Sequence, residues 1–197
     1  MNTRKNYIIN HRTSALISHY EHTNEYTKVM HGHESFTVLQ PPDEIVRQSF
    51  HYFGNNLEDA LKSARKILNK HDPIPIALSA AHNLFLIRCD APNQNGVVWL
   101  ICSQIEEIQR YRINQTTVLL ANGPSIQIDI KKSSLQDQLK SASYLRSSLL
   151  FKPVPHKTKH YIYDQRKGIA LVLEDGRLNY IERRNKEDDE DKDLVLK

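Results

Sequence analysis

Between Val97 and Leu150 the chain changes its hydrophobic period from strand to hairpin to helix without a long linker. That succession, more than any other feature, limits the folds open to it. Val97 to Ile101 (VVWLI) is a dense apolar run, and Ile105, Ile108 and Tyr111 continue a second, less regular strand toward Arg112-Ile113-Asn114-Gln115. Thr116 to Ala121 and Ser125 to Ile130 flank Asn122-Gly123, a strong hairpin signal because both residue types tolerate positive φ. Ile126, Ile128 and Ile130 alternate with Gln127 and Asp129, so one face of that strand is buried and the other wet. A helix then runs from a cap at Ser133 or Ser134 to Phe151, stopped by Pro153 and Pro155.

The N-terminal half supports the same class. Ser14 to Tyr20, Tyr26 to Met30 and Ser35 to Leu39 read as a small antiparallel meander, the last two strands separated by His31-Gly32-His33. Pro41 and Pro42 lead into a helix beginning near Asp43, with Ile45, Val46, Phe50 and Phe53 on one face. Gly54-Asn55-Asn56 interrupts it, and Asn56 caps a second helix through Leu68. Two further strands follow, Ile74 to Leu78 and Leu84 to Cys89, the first placed at a sheet edge by Pro75. Ile169 to Arg184 reads as another hairpin, centred on Asp175-Gly176. The expected fold is α+β: a single strand-rich, antiparallel domain over residues 1–185 with two to three helices and no helix-turn-helix, and a disordered acidic tail over residues 186–197.

Charge narrows the function. Nine Lys or Arg stand against two Asp between Lys131 and Lys167, whereas residues 187–197 carry six acids and two lysines. The formal charge of +4 therefore hides about +8 on the rest of the chain. A compact basic surface favours a polyanion, because each phosphate neutralised releases a condensed counterion. No apolar run approaches the roughly 20 residues that span a bilayer, and no secretory h-region is evident, so a cytoplasmic, nucleoid-associated protein that does not engage membranes is expected. Cys89 and Cys102 form no CxxC pair and read as small core residues. There is no GxSxG, GxxxxGK[ST] or HExxH motif, and neither an enzyme nor a cofactor is expected. His31 and His33 lack a third ligand of convincing spacing, so no metal site is assigned.

Several blocks, IVRQSFHYFG, LEDALKSARKIL, the DPIPIAL and NLFLIR pair, VVWLICSQI, TVLLANGPSIQIDI and SLQDQLKSASYLRSSL, fall in an order and spacing that resemble the ComK family of competence transcription factors of Gram-positive bacteria, best over residues 35–154. The resemblance implies an activator of DNA-uptake genes that binds paired AT-rich half-sites as dimers associating into tetramers and approaches the minor groove. It also implies RNA polymerase, an adaptor protein and a Clp-type protease as partners. The strand, basic loop, hairpin and helix pattern is similar, more loosely, to LytTR regulators, which read DNA with strands and loops; this is analogy alone.

Candidate DNA contacts follow from side-chain chemistry. Arg110, Arg112, Asn114 and Gln115 lie between two strands, where Arg suits the negative potential of a narrow groove and Asn or Gln can donate to its acceptors. Lys131 and Lys132 sit where a strand meets a helix N-terminus, and its amides can hold a phosphate beside them. Lys152, Lys157 and Lys159, with Arg166 and Lys167, make an electrostatic skirt. Arg146 falls by angle close to Leu139 and Ala142 on the apolar face, so a structural salt bridge is favoured for it, with DNA contact second. Trp99 reads as core. The rival functions are a sequence-indifferent RNA- or single-strand-binding protein and a basic module for an acidic protein partner.

Overall fold

The run VVWLI is apolar at every position because its strand is covered on both faces, and the sheet order explains why. The computed structural model describes residues 3–91, 96–121 and 123–151, together with the backbone of three strands near the C-terminus. In chain order the first strands are β1 (Thr3–Arg4), β2 (Thr13–Glu21), β3 (Asn24–His31) and β4 (Glu34–Val38), followed by helices α1 (Pro42–Tyr52) and α2 (Leu57–Leu68). Next come β5 (Ile76–Ser79), β6 (Leu84–Asp90), β7 (Val97–Ile101), a single 3-10 turn at Cys102–Gln104, β8 (Ile105–Arg112), β9 (Gln115–Leu120) and β10 (Ser125–Ile128). Helix α3 (Lys132–Leu150) precedes β11 (His160–Asp164), β12 (Ile169–Glu174) and β13 (Arg177–Arg183).

The chain divides into two compact units, residues 1–152 and 153–197. In the first, seven strands form one sheet in the order β1-β4-β3-β2-β7-β6-β5. All pairings in it are antiparallel except β1 with β4, a two-residue parallel contact that the expectation of a wholly antiparallel domain did not include. β5 takes the edge, as Pro75 suggested.

Strand β7 lies between β2 and β6, and its alternate side chains serve two cores. Trp99 and Ile101 join Leu16, Val29, Phe36, Leu84 and Leu86 against Ile45, Val46 and Phe50 of α1, with Leu57 and Leu61 of α2 packed on the margin. Val98 and Leu100, with Ala15, Ile87 and Cys89, pack instead on Val118, Leu120 and Ile128 of a second, three-stranded sheet β10-β9-β8 and on Leu135 of α3. Trp99 is core, and its Nε1 donates to Asp43 Oδ1 at 2.7 Å, fastening β7 to the first turn of α1. Burial of each such Leu or Ile contributes roughly 1.5–3 kcal/mol.

Local rules account for most boundaries. Asn56 Oδ1 accepts from the Glu58 amide at 2.8 Å and so caps α2. Gly96 has φ +102, and a Cβ there would lie 2.4 Å from Ser18 Cβ, so only glycine fits before β7. The hairpin expected here forms, with Gly123 at φ +101 and the Leu120 amide bonded to Pro124 O at 2.9 Å; Asn122 lies outside the described residues.

Two local expectations are corrected. Helix α3 begins at Lys132 with Lys131 as its N-cap, and no side chain caps it; Ser133 and Ser134 already lie in its first turn. Strand β10 ends at Ile128, with Ile130 still half-buried against the second core. His31 and His33 do not act together: His33 is exposed, while His31 Nδ1 lies 2.9 Å from Tyr7 Oη. Desolvation, and then Arg12 and Arg4, hold the His31 imidazole below its ordinary pKa.

In the second unit β11, β12 and β13 form an antiparallel sheet in sequence order. Glu174 pairs with Arg177, as the hairpin reading of this segment requires. The strand β11 was not anticipated. Residues 184–197, including the acidic tail, lie outside the described residues.

Candidate nucleic-acid interface

The site is built by a register. Strands β8 and β9 pair with Arg112 opposite Gln115, leaving Ile113 and Asn114 as a two-residue turn. The loop expected around residues 110–115 is therefore the tip of a β-hairpin, with Arg110, Tyr111 and Arg112 still in strand. An irregularity between Arg110 and Arg112 shifts the alternation just before the turn. Arg110, Arg112 and Asn114 are exposed. β8 is polarised along its length: Glu106 and Glu107 are exposed at its start, the two arginines at its end.

Two hydrogen bonds fix the tip against the chain entering α3. Gln115 Nε2 donates to Asp129 Oδ1 at 2.7 Å, and Thr116 Oγ1 donates to Ile130 O at 2.6 Å. The Asp129 amide in turn bonds Asp90 O at 3.0 Å. The hairpin is thus braced to the segment that delivers Lys131, exposed, and Lys132, half-buried, at the uncapped N-terminus of α3. Arg112, Ile113, Asn114, Gln115 and Asp129 line one open recess at this end. No carboxylate among the described residues pairs with Arg110, Arg112, Lys131 or Lys132.

The arrangement sets exposed arginines at the end of a braced hairpin and, nearby, a helix N-terminus without a side-chain cap beside two lysines. Arg can enter a narrow groove, while lysines and amides suit phosphate. Gln115 is committed to bracing, since its amide already serves Asp129. The sequence reading counted only polar residues here and passed over Tyr111 and Ile113, both exposed. No local signal marks them, because Ile113 is not a usual turn residue and the turn is set by the pairing of Arg112 with Gln115.

Arg146 is not in the middle of an apolar face. The buried stripe of α3 runs through Leu135, Gln138, Ser141, Ala142 and Leu145, which turns the helix so that Arg146 emerges at its rim, exposed. It forms no ion pair among the described residues, so the expected salt bridge is absent there. Lys152, Lys157, Lys159, Arg166 and Lys167 lie outside the described residues. A second basic patch was missed. Lys70 Nζ donates to Ser141 Oγ at 3.0 Å, and Lys140, held by Asp137 at 3.6 Å, lies beside it with the exposed Tyr144.

Among the described residues no helix is long and apolar enough to cross a membrane. The profile of the family described as ComK protein matches residues 4–152, starting well before the blocks that first carried the resemblance. A competence transcription factor of Bacillus subtilis (strain 168) is 18% identical over 173 residues, covering 86% of this chain and 90% of that protein. No solved structure matches.

Proposed function

Because the chain belongs to the ComK family, we propose that it is a transcriptional activator of DNA-uptake genes that binds paired AT-rich sites on double-stranded DNA as a homo-oligomer. The observation that carries this reading is the grouping of Arg110, Arg112 and Asn114 at a hairpin tip that is braced to Asp129 and Ile130, the residues leading into Lys131 and Lys132. The arginines enter the minor groove, where A-tracts narrow the walls and raise the negative potential. The two lysines and the first amides of α3 hold flanking phosphates and set the register. One such hairpin covers a short stretch of duplex, so two copies on adjacent half-sites lengthen the site and sharpen selectivity. RNA polymerase, an adaptor protein and a Clp-type protease are partners that family membership suggests.

The test is a gel-shift titration at near-physiological salt with two duplexes of equal length, one carrying paired A-tract and T-tract half-sites and one with the tracts scrambled. Cooperative preference for the paired site is expected. Equal affinity for both duplexes, or preference for a single strand, would replace this reading with that of an indiscriminate nucleic-acid binder. Absence of binding to any nucleic acid would leave the basic surface to a protein partner.

A further inference from the structure

We propose that Ile113 is an apolar wedge that enters the minor groove between two base pairs and unstacks them, so that the protein reads deformability as well as groove width. This rests on the DNA-binding reading above and adds a residue and a mechanism to it.

Ile113 occupies the outermost point of the β8–β9 hairpin and is 76% exposed. A β-branched apolar residue gains nothing there from turn geometry, which favours Asn, Asp or Gly, and gains nothing from packing. Functional sites are where natural proteins break such local rules. Its setting is specific. Arg112 precedes it and Asn114 follows it, both exposed, and Arg110 stands two positions further back. The Arg112 guanidinium carbon lies 5.2 Å from the Tyr111 ring centroid, an arrangement that steadies the arginine beside the tip. The Gln115–Asp129 and Thr116–Ile130 bonds at 2.7 and 2.6 Å hold the base of the turn. A wedge must be stiffly mounted to part a base stack, and this one is.

The alternative occupant of an exposed isoleucine is a protein surface. A specific protein interface buries at least about 1,200 Å² and is depleted of charge at its centre. Ile113 and the neighbouring Tyr111, set among Arg110, Arg112 and Asn114, have neither the area nor the neighbours for that. Cations around an apolar tip are instead what minor-groove wedges use, the charges gripping both backbones while the side chain inserts. Pyrimidine–purine steps yield most readily, so within an AT-rich site the preferred point of entry is TpA.

The experiment uses the full chain and a duplex with paired A- and T-tracts in which 2-aminopurine replaces the adenine of a central TpA step, its fluorescence rising on unstacking. Wild-type protein is expected to raise the fluorescence on binding and to bend the same site in a circular-permutation gel shift. Ile113→Ala should still bind, with an unchanged thermal midpoint, but lose both the fluorescence rise and the bend. Ile113→Leu should restore them. An Ile113→Ala protein that brightens the probe and bends DNA like wild type overturns the wedge. So does wild-type binding with no brightening. If Ile113→Ala changes only the oligomeric state measured without DNA, the tip is a contact between copies and the wedge is likewise overturned. Wild-type protein that binds no duplex at all defeats the DNA reading itself, an outcome distinct from the others.

Discussion

Arg112 and Lys131 are both exposed cations at one end of the three-stranded sheet, yet they belong to different kinds of contact. Arg112 projects from the hairpin tip; Lys131 flanks helix amides suited to phosphate. Arg112→Ala should cost about 1–3 kcal/mol on an AT-rich duplex and relax selectivity, whereas Lys131→Ala with Lys132→Ala should weaken all duplexes alike and lower the salt slope by about 2. Titrations of both variants at several salt concentrations check this, and a matched loss of selectivity in the lysine variant would refute the division. The two thiols make a second prediction. Burial pushes the thiols of Cys89, which is buried, and Cys102, which is half-buried, up to about 12, so both are held protonated at neutral pH. Neither should react with iodoacetamide in the native protein at pH 8, and both should in denaturant; mass spectrometry counts the adducts. Arg146 shows where residue-scale reading fails. Its angle matches that of Leu139 and Ala142, but the helix buries Gln138 and Ser141 beside Leu145, and no hydropathy pattern announces buried polar residues.

Elements were legible where local chemistry alone decides them. α2 starts at Leu57 because Asn56 caps it, and the amide bond to Glu58 is the contact that the sequence implies. Asn56→Ala should destabilise the first unit by about 1 kcal/mol, lowering the thermal midpoint by roughly 2–4 °C; calorimetry showing no shift would mean that packing of α2 fixes its start. α3 is the counterexample. Two serines advertised a cap that the helix does not use: Gln115 Nε2 and Thr116 Oγ1 hold Asp129 and Ile130 just before the helix, and the cap falls at Lys131, two residues before Ser133 and three before Ser134. The two hairpins of the second sheet divide in the same way. Asn122-Gly123 was readable from its own residues, whereas the Ile113-Asn114 turn has no turn-forming pair and is fixed by the register of Ile108 with Val118 and of Arg112 with Gln115. The candidate tip was hidden for that reason: its residues were seen, but as a loop and not as the end of a braced ribbon.

On the scale of the whole molecule, hydrophobic period shows that strands exist and not which of them meet. The pairing of β2 with β7 joins Leu16 to Trp99 across most of the first unit, and only the packed structure supplies it. Charge is different, since it acts at a distance and can be read without a fold. The chain gathers six of its 23 acids, with two lysines, at residues 187–197, against a body of net positive charge. If these acids reach the cations proposed to hold DNA, they compete there with phosphate, and more effectively at low salt, where the Debye length is about 10 Å at 0.1 M against about 3 Å at 1 M. Deleting residues 187–197 should therefore tighten binding to scrambled duplex at low salt, with the gain fading as salt rises, and should leave the preference for paired AT-rich sites at least as high in absolute affinity. Fluorescence anisotropy across a salt series measures both. Because the effect is electrostatic, replacing the six acids with their amides should reproduce it, and restoring the charges in a scrambled order should abolish it. Unchanged or weaker binding by the truncated chain would show that the tail does not mask the basic surface, and would leave its acids free for a protein partner.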